Sequence, residues 1–296
     1  MVHKKRRKLS KQGKIIIGGS IGLIVLLVSS VFLFKPQANV NQEVIATPIA
    51  TVTPTIDPIE LKKQELADKY NPIWDEFSAL NEDYIAYLEW ENNLLYDYGD
   101  DTTDPYPHLI VRSRIVDAGE GNVNAANSEY MRNDISHASR SFGQDFMDGE
   151  SGVDENYVPT DQNIIIYGHY VYPFKYETDK LKFTPLHKLK DPSVYDMYDT
   201  FTLTFNDQQR TYQVAHVFLF NKASFTTRED SPLALNYTPD QLENYMNKID
   251  AVYGDYLDTG IDIGPDDHFA TLQTCVENRE DQLLFVVAKE IDRVDF

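Results

Sequence analysis

Twenty consecutive residues, Ile15 to Phe34, carry no charge, and at about 1.5 Å per helical residue they span about 30 Å, the hydrocarbon thickness of a bilayer. Apolar on every face and close to a terminus, such a stretch is a poor fit to a buried core helix. Lys4, Lys5, Arg6, Arg7, Lys8, Lys11 and Lys14 precede it, and Lys35 alone directly follows it. Cytoplasmic flanks hold the excess of lysine and arginine, so residues 1–14 are expected in the cytoplasm and everything past 35 outside. A cleaved signal peptide would have an apolar core of about 7–15 residues and a small-residue cleavage site. This run is longer, and Phe32-Leu33-Phe34-Lys35-Pro36 is no such site, which favours an uncleaved transmembrane anchor over 15–34.

Residues 35–59 hold Pro36, Pro48, Pro54 and Pro58 and sustain neither a helical nor a strand period, so an extended extracellular stalk is expected. The remainder, 60–296, is long enough for one large domain. The basic run contains seven of the 27 Lys and Arg and none of the 47 Asp and Glu, and the whole chain carries a net charge of -20. Beyond the anchor the surface is therefore acidic, which excludes nucleic acid as the main partner. A single cysteine, Cys275, excludes an internal disulfide and any site built on several thiolates. No cofactor is indicated, and no metal constellation; Asp266-Asp267-His268 is a short polar turn.

Within 60–296, apolar residues from Ile59 to Leu80 recur at helical spacing, interrupted at Asn71-Pro72, which predicts one kinked helix or two short ones. Short β-rich runs follow at 84–90, 109–116, 164–167, 201–205, 211–220, 269–274 and 283–291, with 201–205 and 211–220 flanking a hairpin loop. Pro239–Tyr253 reads as a helix. The fold class is mostly β with flanking helices, a barrel or sandwich.

Two segments carry chemistry. Ile164-Ile165-Ile166-Tyr167-Gly168-His169 is an apolar strand leaving an imidazole at its exit, and Thr271-Leu272-Gln273-Thr274-Cys275 is a strand ending in a thiol before a charged stretch. An ordinary thiol, with a pKa of about 8.5, is only a few per cent thiolate at neutral pH and needs a base or a cation beside it. A lone cysteine also fits a small buried apolar position, and a lone histidine a packed one.

Taken together the two segments resemble the histidine motif and the TLxTC cysteine motif of sortases, in the same chain order and about a hundred residues apart. Leu80–Leu88 resembles the NPDxxGWL entry of the class B members, with Ala86 and Tyr87 in place of Gly and Trp. Tyr130–Asp134, Gly143–Asp148 and the late helix also match that class. The resemblance covers residues 60–296. It implies a closed β-barrel with N-terminal helices and a helix before the cysteine strand. It also implies a cysteine transpeptidase, in which Cys275 attacks a threonine carbonyl in a sorting motif of surface proteins. A thioester forms, and a cell-wall precursor or protein amine resolves it while His169 moves the protons. Leu272 and Thr274 of the cysteine motif are expected to bind substrate.

The chain departs from that pattern at the arginine expected on the last strand. With Asn278–Asp281 as the turn, Cys275 would pair with Leu284, which has no guanidinium. Arg279, in the predicted loop, is the expected replacement; Arg228 and Arg210 are weaker candidates. The departure also motivates a second reading, a catalytically impaired binder of sorting signals or assembly partners.

Overall fold

The computed structural model describes residues 57–94, 106–114, 128–171, 182–225, 227–229, 231–253 and 255–296. The expected tail, anchor and most of the stalk lie outside these residues. Among the described residues no helix is long and apolar enough to cross a membrane.

Helix α1 runs unbroken from Pro58 to Leu80, capped by the Asp57 carboxylate, which accepts from the Ile59 N–H at 2.9 Å. Pro72 sits inside it and does not divide it. Tyr70 is buried, and Trp74 and Phe77 pack on the barrel, so burial outweighs the hydrogen bond that proline removes. Asn81 then ends the helix in an extended conformation and fixes the entry into the sheet. Its side-chain amide donates to Tyr130 Oη and to the Ile135 carbonyl, both at 2.8 Å. Tyr130 donates in turn to Asp83 at 2.6 Å, so the entry segment and the segment before the histidine strand are locked together.

Nine strands follow: β1 Tyr84–Trp90, β2 Leu109–Arg112, β3 Asp145–Met147, β4 Asn163–Tyr167, β5 Thr200–Thr204, β6 Gln208–Asn221, β7 Asp255–Asp258, β8 Phe269–Val276 and β9 Arg279–Asp295. They pair in the order β5-β1-β2-β3-β4-β8-β9-β6, and β5 also pairs with β6, closing an eight-stranded barrel with β7 appended to β6. The β2–β3 and β4–β8 pairs are parallel and the others antiparallel. Closure leaves no free edge in the barrel wall.

Alternation divides the buried residues into two clusters. Leu88, Ile110, Ile166, Val214, Leu272 and Val286 belong to the barrel interior. Ile165, Phe218 and Phe285 belong to an outer layer covered by α1 and by helix α2, Pro239–Lys248, through Leu242 and Tyr245. Thr238 and Gln241 close a capping box at the start of α2, and a π-helical turn, Ile249–Tyr253, continues it to the expected end.

The fold class is as expected, while several boundaries differ. β3 and β7 have no counterpart among the expected runs, because three- and four-residue strands are too short to show a period. The 201–220 hairpin is tighter than predicted, with β6 starting at Gln208, and β2 stops at Arg112. β9 begins at Arg279 rather than 283, so Glu277-Asn278 forms the whole turn. Asn278 takes a positive φ of 55°, which asparagine tolerates better than most residues.

Candidate active site

β4 and β8 lie side by side, in register from Asn163↔Phe269 to Tyr167↔Gln273. At the start of the pair Thr271 Oγ1 donates to Asn163 Oδ1 at 2.8 Å, and Asn163 Nδ2 donates to the Ala234 carbonyl at 2.8 Å. At its end the Gly168 N–H donates to the Gln273 carbonyl at 3.1 Å. His169 and Cys275 each stand two residues past the last paired couple. By alternation Cys275 shares the outer side of β8 with Phe269 and Thr271, away from interior Leu272. Gly168 is required between strand and histidine. A Cβ there would lie 2.4 Å from the Phe183 ring and 2.8 Å from Asp145 Oδ1.

The Cys275 side chain is exposed, yet the protein around it removes enough water to push its thiol above the ordinary thiol range. The Lys222 ammonium opposes this and favours the thiolate. Lys222 reaches the site through register: Cys275 pairs with Leu283, Leu283 with Phe220, and Lys222 is the first residue after β6. His169 is half-buried. Burial and the positive charges of Lys182 and Arg132 lower its imidazole from 6.5 to about 4. At neutral pH the resting groups are therefore a thiol and a neutral imidazole.

A second histidine meets the same cysteine. His187 lies on a 3₁₀ helix, Thr184–Lys190, and its Nε2 is 2.9 Å from the Cys275 carbonyl oxygen. Its ring packs on Tyr170 with centroids 4.7 Å apart, and Tyr170 Oη donates to Glu277 Oε2 at 3.0 Å. Burial and Lys190 lower this imidazole to about 4 as well.

Other expected residues are placed differently. Leu272 and Thr274 are both fully buried; Leu272 belongs to the interior cluster, and Thr274 shares its side of β8 by alternation, opposite to Cys275. Arg279 is exposed at the first position of β9, opposite Val276. Val276 belongs to the interior cluster, and the β8–β9 register jumps by three residues between this couple and Cys275↔Leu283. Leu284 pairs with Thr274 and is buried inside; the residue opposite Cys275 is Leu283, in the outer layer. The two-residue turn and the register jump between Cys275 and Val276 account for the one-residue difference. No guanidinium stands at either position.

Arg228 is held by Asp148 at 2.8 Å and Glu150 at 2.9 Å, beside the Tyr167 hydroxyl that donates to Asp148. Arg210 is buried at the far end of the barrel, where β6 pairs with Arg293. The ends of the aromatic segment after His169 pack on the protein, with Val171 and Phe183 buried, and its middle lies outside the described residues.

Sequence reasoning missed Lys222 and His187. Lys222 is brought to the thiol only by β6–β9 register, and His187 sits in a 3₁₀ segment without a hydrophobic period. Among the described residues no group of three or more His, Cys, Asp or Glu side chains is placed to hold a metal ion.

A scan against protein-family models and a search of curated proteins each found no match. Solved structures did match. A Staphylococcus aureus sortase B–substrate complex superposes with a TM-score of 0.55 at 17% identity, covering 79% of this chain and 93% of that one. A mutant form of Clostridium perfringens sortase B gives 0.56 at 18% identity, covering 78% and 92%. A Bacillus anthracis protein described as similar to sortase B gives 0.53 at 17% identity, covering 80% and 98%. The barrel is that of sortase B structures, and at these identities the likeness establishes the fold.

Proposed function

We propose that this protein is a membrane-anchored cysteine transpeptidase of sortase type. The observation that carries the reading is the delivery of one thiol and one neutral imidazole to the ends of two adjacent parallel strands. Neutral His169 accepts the Cys275 proton as the thiolate attacks a threonine carbonyl in a sorting motif near a surface protein's C-terminus. The tetrahedral oxyanion collapses to a thioester, and the His169 imidazolium gives its proton to the departing amine. An amine from a cell-wall precursor or another protein then attacks the thioester, and His169 removes its proton. Lys222 supplies the positive charge at the thiol and the developing oxyanion, in place of an arginine on β9.

Two neighbours support the substrate classes in general. One is a sortase B–substrate complex and another is sortase B complexed with triglycine, which carries a free amine. The apolar run 15–34 supports a single pass with the N-terminus cytoplasmic and the catalytic domain outside.

Intact-protein mass spectrometry of the full chain in detergent with threonine-containing sorting-motif peptides tests the reading. An acyl adduct on Cys275 that vanishes when an amine is added, with a new amide product, is expected, and Cys275→Ala abolishes both. Peptide binding without an adduct, equal in Cys275→Ala, would instead favour the sorting-signal binder, a reading motivated by the leucines at Leu283 and Leu284.

A further inference from the structure

The last carbonyls of β8 face an interrupted ladder. Carbonyls two residues apart on a strand point the same way, so those of Gln273 and Cys275 both point toward β4. The Gln273 carbonyl is met by the Gly168 N–H. At Cys275 the β4 chain has already left the sheet: Phe183 N–H donates to the His169 carbonyl at 3.0 Å, turning that segment away. On the other side, the β8–β9 register jumps between Cys275 and Val276. A backbone acceptor at such a point requires a donor from outside the ladder. His187 Nε2 supplies it at 2.9 Å, and because a carbonyl only accepts, Nε2 carries the hydrogen. The same imidazole packs on Tyr170, the residue after His169, and Tyr170 is tied to Glu277 in the turn after Cys275. His187 thus spans the gap between the exit of the histidine strand and the cysteine.

We propose that His187 is a positioning residue, which replaces the missing strand at Cys275 and fixes the thiol's place relative to His169 and Lys222. The inference rests on the transpeptidase reading for its activity readout only. Nothing in it requires His187 to touch substrate. Its side chain holds the backbone of the residue that does. Loss of the donor frees the cysteine's strand end, and a misplacement of about 1 Å at a reacting group costs up to about 10²-fold in rate.

The test compares full-length wild type, His187→Ala and His187→Gln, since a glutamine amide retains an N–H for the carbonyl. Peptide cleavage is measured as kcat and KM, iodoacetamide labelling of Cys275 is followed across pH, and melting is recorded for each. His187→Ala is expected to lower kcat at least about tenfold with KM within about twofold, and His187→Gln to recover most of the loss. The labelling profile of His187→Ala should move to higher pH as the thiolate loses its neighbours. An unchanged kcat in His187→Ala would overturn the proposal. So would losses in both variants that merely follow a lowered melting temperature. If wild type cleaves no peptide, the transpeptidase reading fails, and labelling decides alone: a shifted profile restored by His187→Gln supports the positioning role, and an unshifted one ends it.

Discussion

The two ends of the β4–β8 pair are built to opposite purposes. At the start, Asn163 and Thr271 are fully buried and bonded to each other and to the Ala234 carbonyl. At the finish, two residues past the last backbone couple, His169 is half-buried, Cys275 is exposed, and a side chain completes the backbone hydrogen bonding. The same ladder that is closed at one end is left open at the other. A buried polar pair costs free energy unless each partner is met, so the start makes a fixed reference. An open end can hold groups whose proton affinities are displaced, the thiol upward and the imidazole downward. Parallel register carries the position of the first end to the second.

Breaking the reactive end should do most. His169→Ala is expected to lower cleavage by about 10²–10⁴-fold, the range of positioned proton transfer, with the melting temperature nearly unchanged. A near-normal rate would remove His169 from the chemistry.

Next in size is the closed end. Asn163→Ala leaves the Thr271 hydroxyl buried without its acceptor and should cost about 1–3 kcal/mol in urea unfolding, while cleavage per folded molecule changes little. Equal losses of stability and of turnover per folded molecule would mean that the two ends are not separate in purpose.

Lys222→Met sharpens the electrostatic half of the comparison. Thiolate forms as pH rises, and the lysine charge eases its formation, so the labelling curve should shift to higher pH and slow roughly tenfold at pH 7. No shift would leave the thiol's cation unassigned. Smallest of all, Arg279→Ala should keep turnover within about twofold, because the cation acting on the thiol is Lys222. A loss of tenfold or more would show that Arg279 does reach the site.

The folded state also keeps His169 and His187 neutral well below the ordinary 6.5, each near 4. Unfolded, both would bind protons as pH falls through 6.5, so the unfolded state gains protons that the folded state refuses. The stability these groups contribute is present above 6.5 and is lost between 6.5 and 4. The melting temperature should fall over that window, and His187→Gln should flatten part of the slope.

Much of the barrel, with the two strand ends that carry the proposed pair, was legible in the chain. Ile164–Tyr167 and Phe269–Thr274 read as strands because buried β-branched and aromatic runs have few other folds available. Gly168-His169 and Thr274-Cys275 mark strand exits. The proposed anchor rests on a charge-free run with one-sided basic flanks. Less legible was β9, whose opening Arg279-Glu280-Asp281 looks like loop because those positions are exposed. That hid the two-residue turn and shifted the expected partner of Cys275 from Leu283 to Leu284. A slip of one residue exchanges the outer and inner sides of a strand, which separates Leu283 in the outer layer from Leu284 in the interior.

Local pattern therefore determined most of the strands, which thiol and imidazole stand near the ends of two of them, and that no arginine stands opposite that thiol on the last strand. Tertiary structure alone decided which groups surround that thiol. Lys222 arrives through the pairing of β6 with β9, and His187 through a 3₁₀ turn folded back over the cysteine. Neither has a periodic signal, because each is positioned by hydrogen-bonded register and by an unfilled backbone acceptor. Those conditions exist only once the barrel has closed.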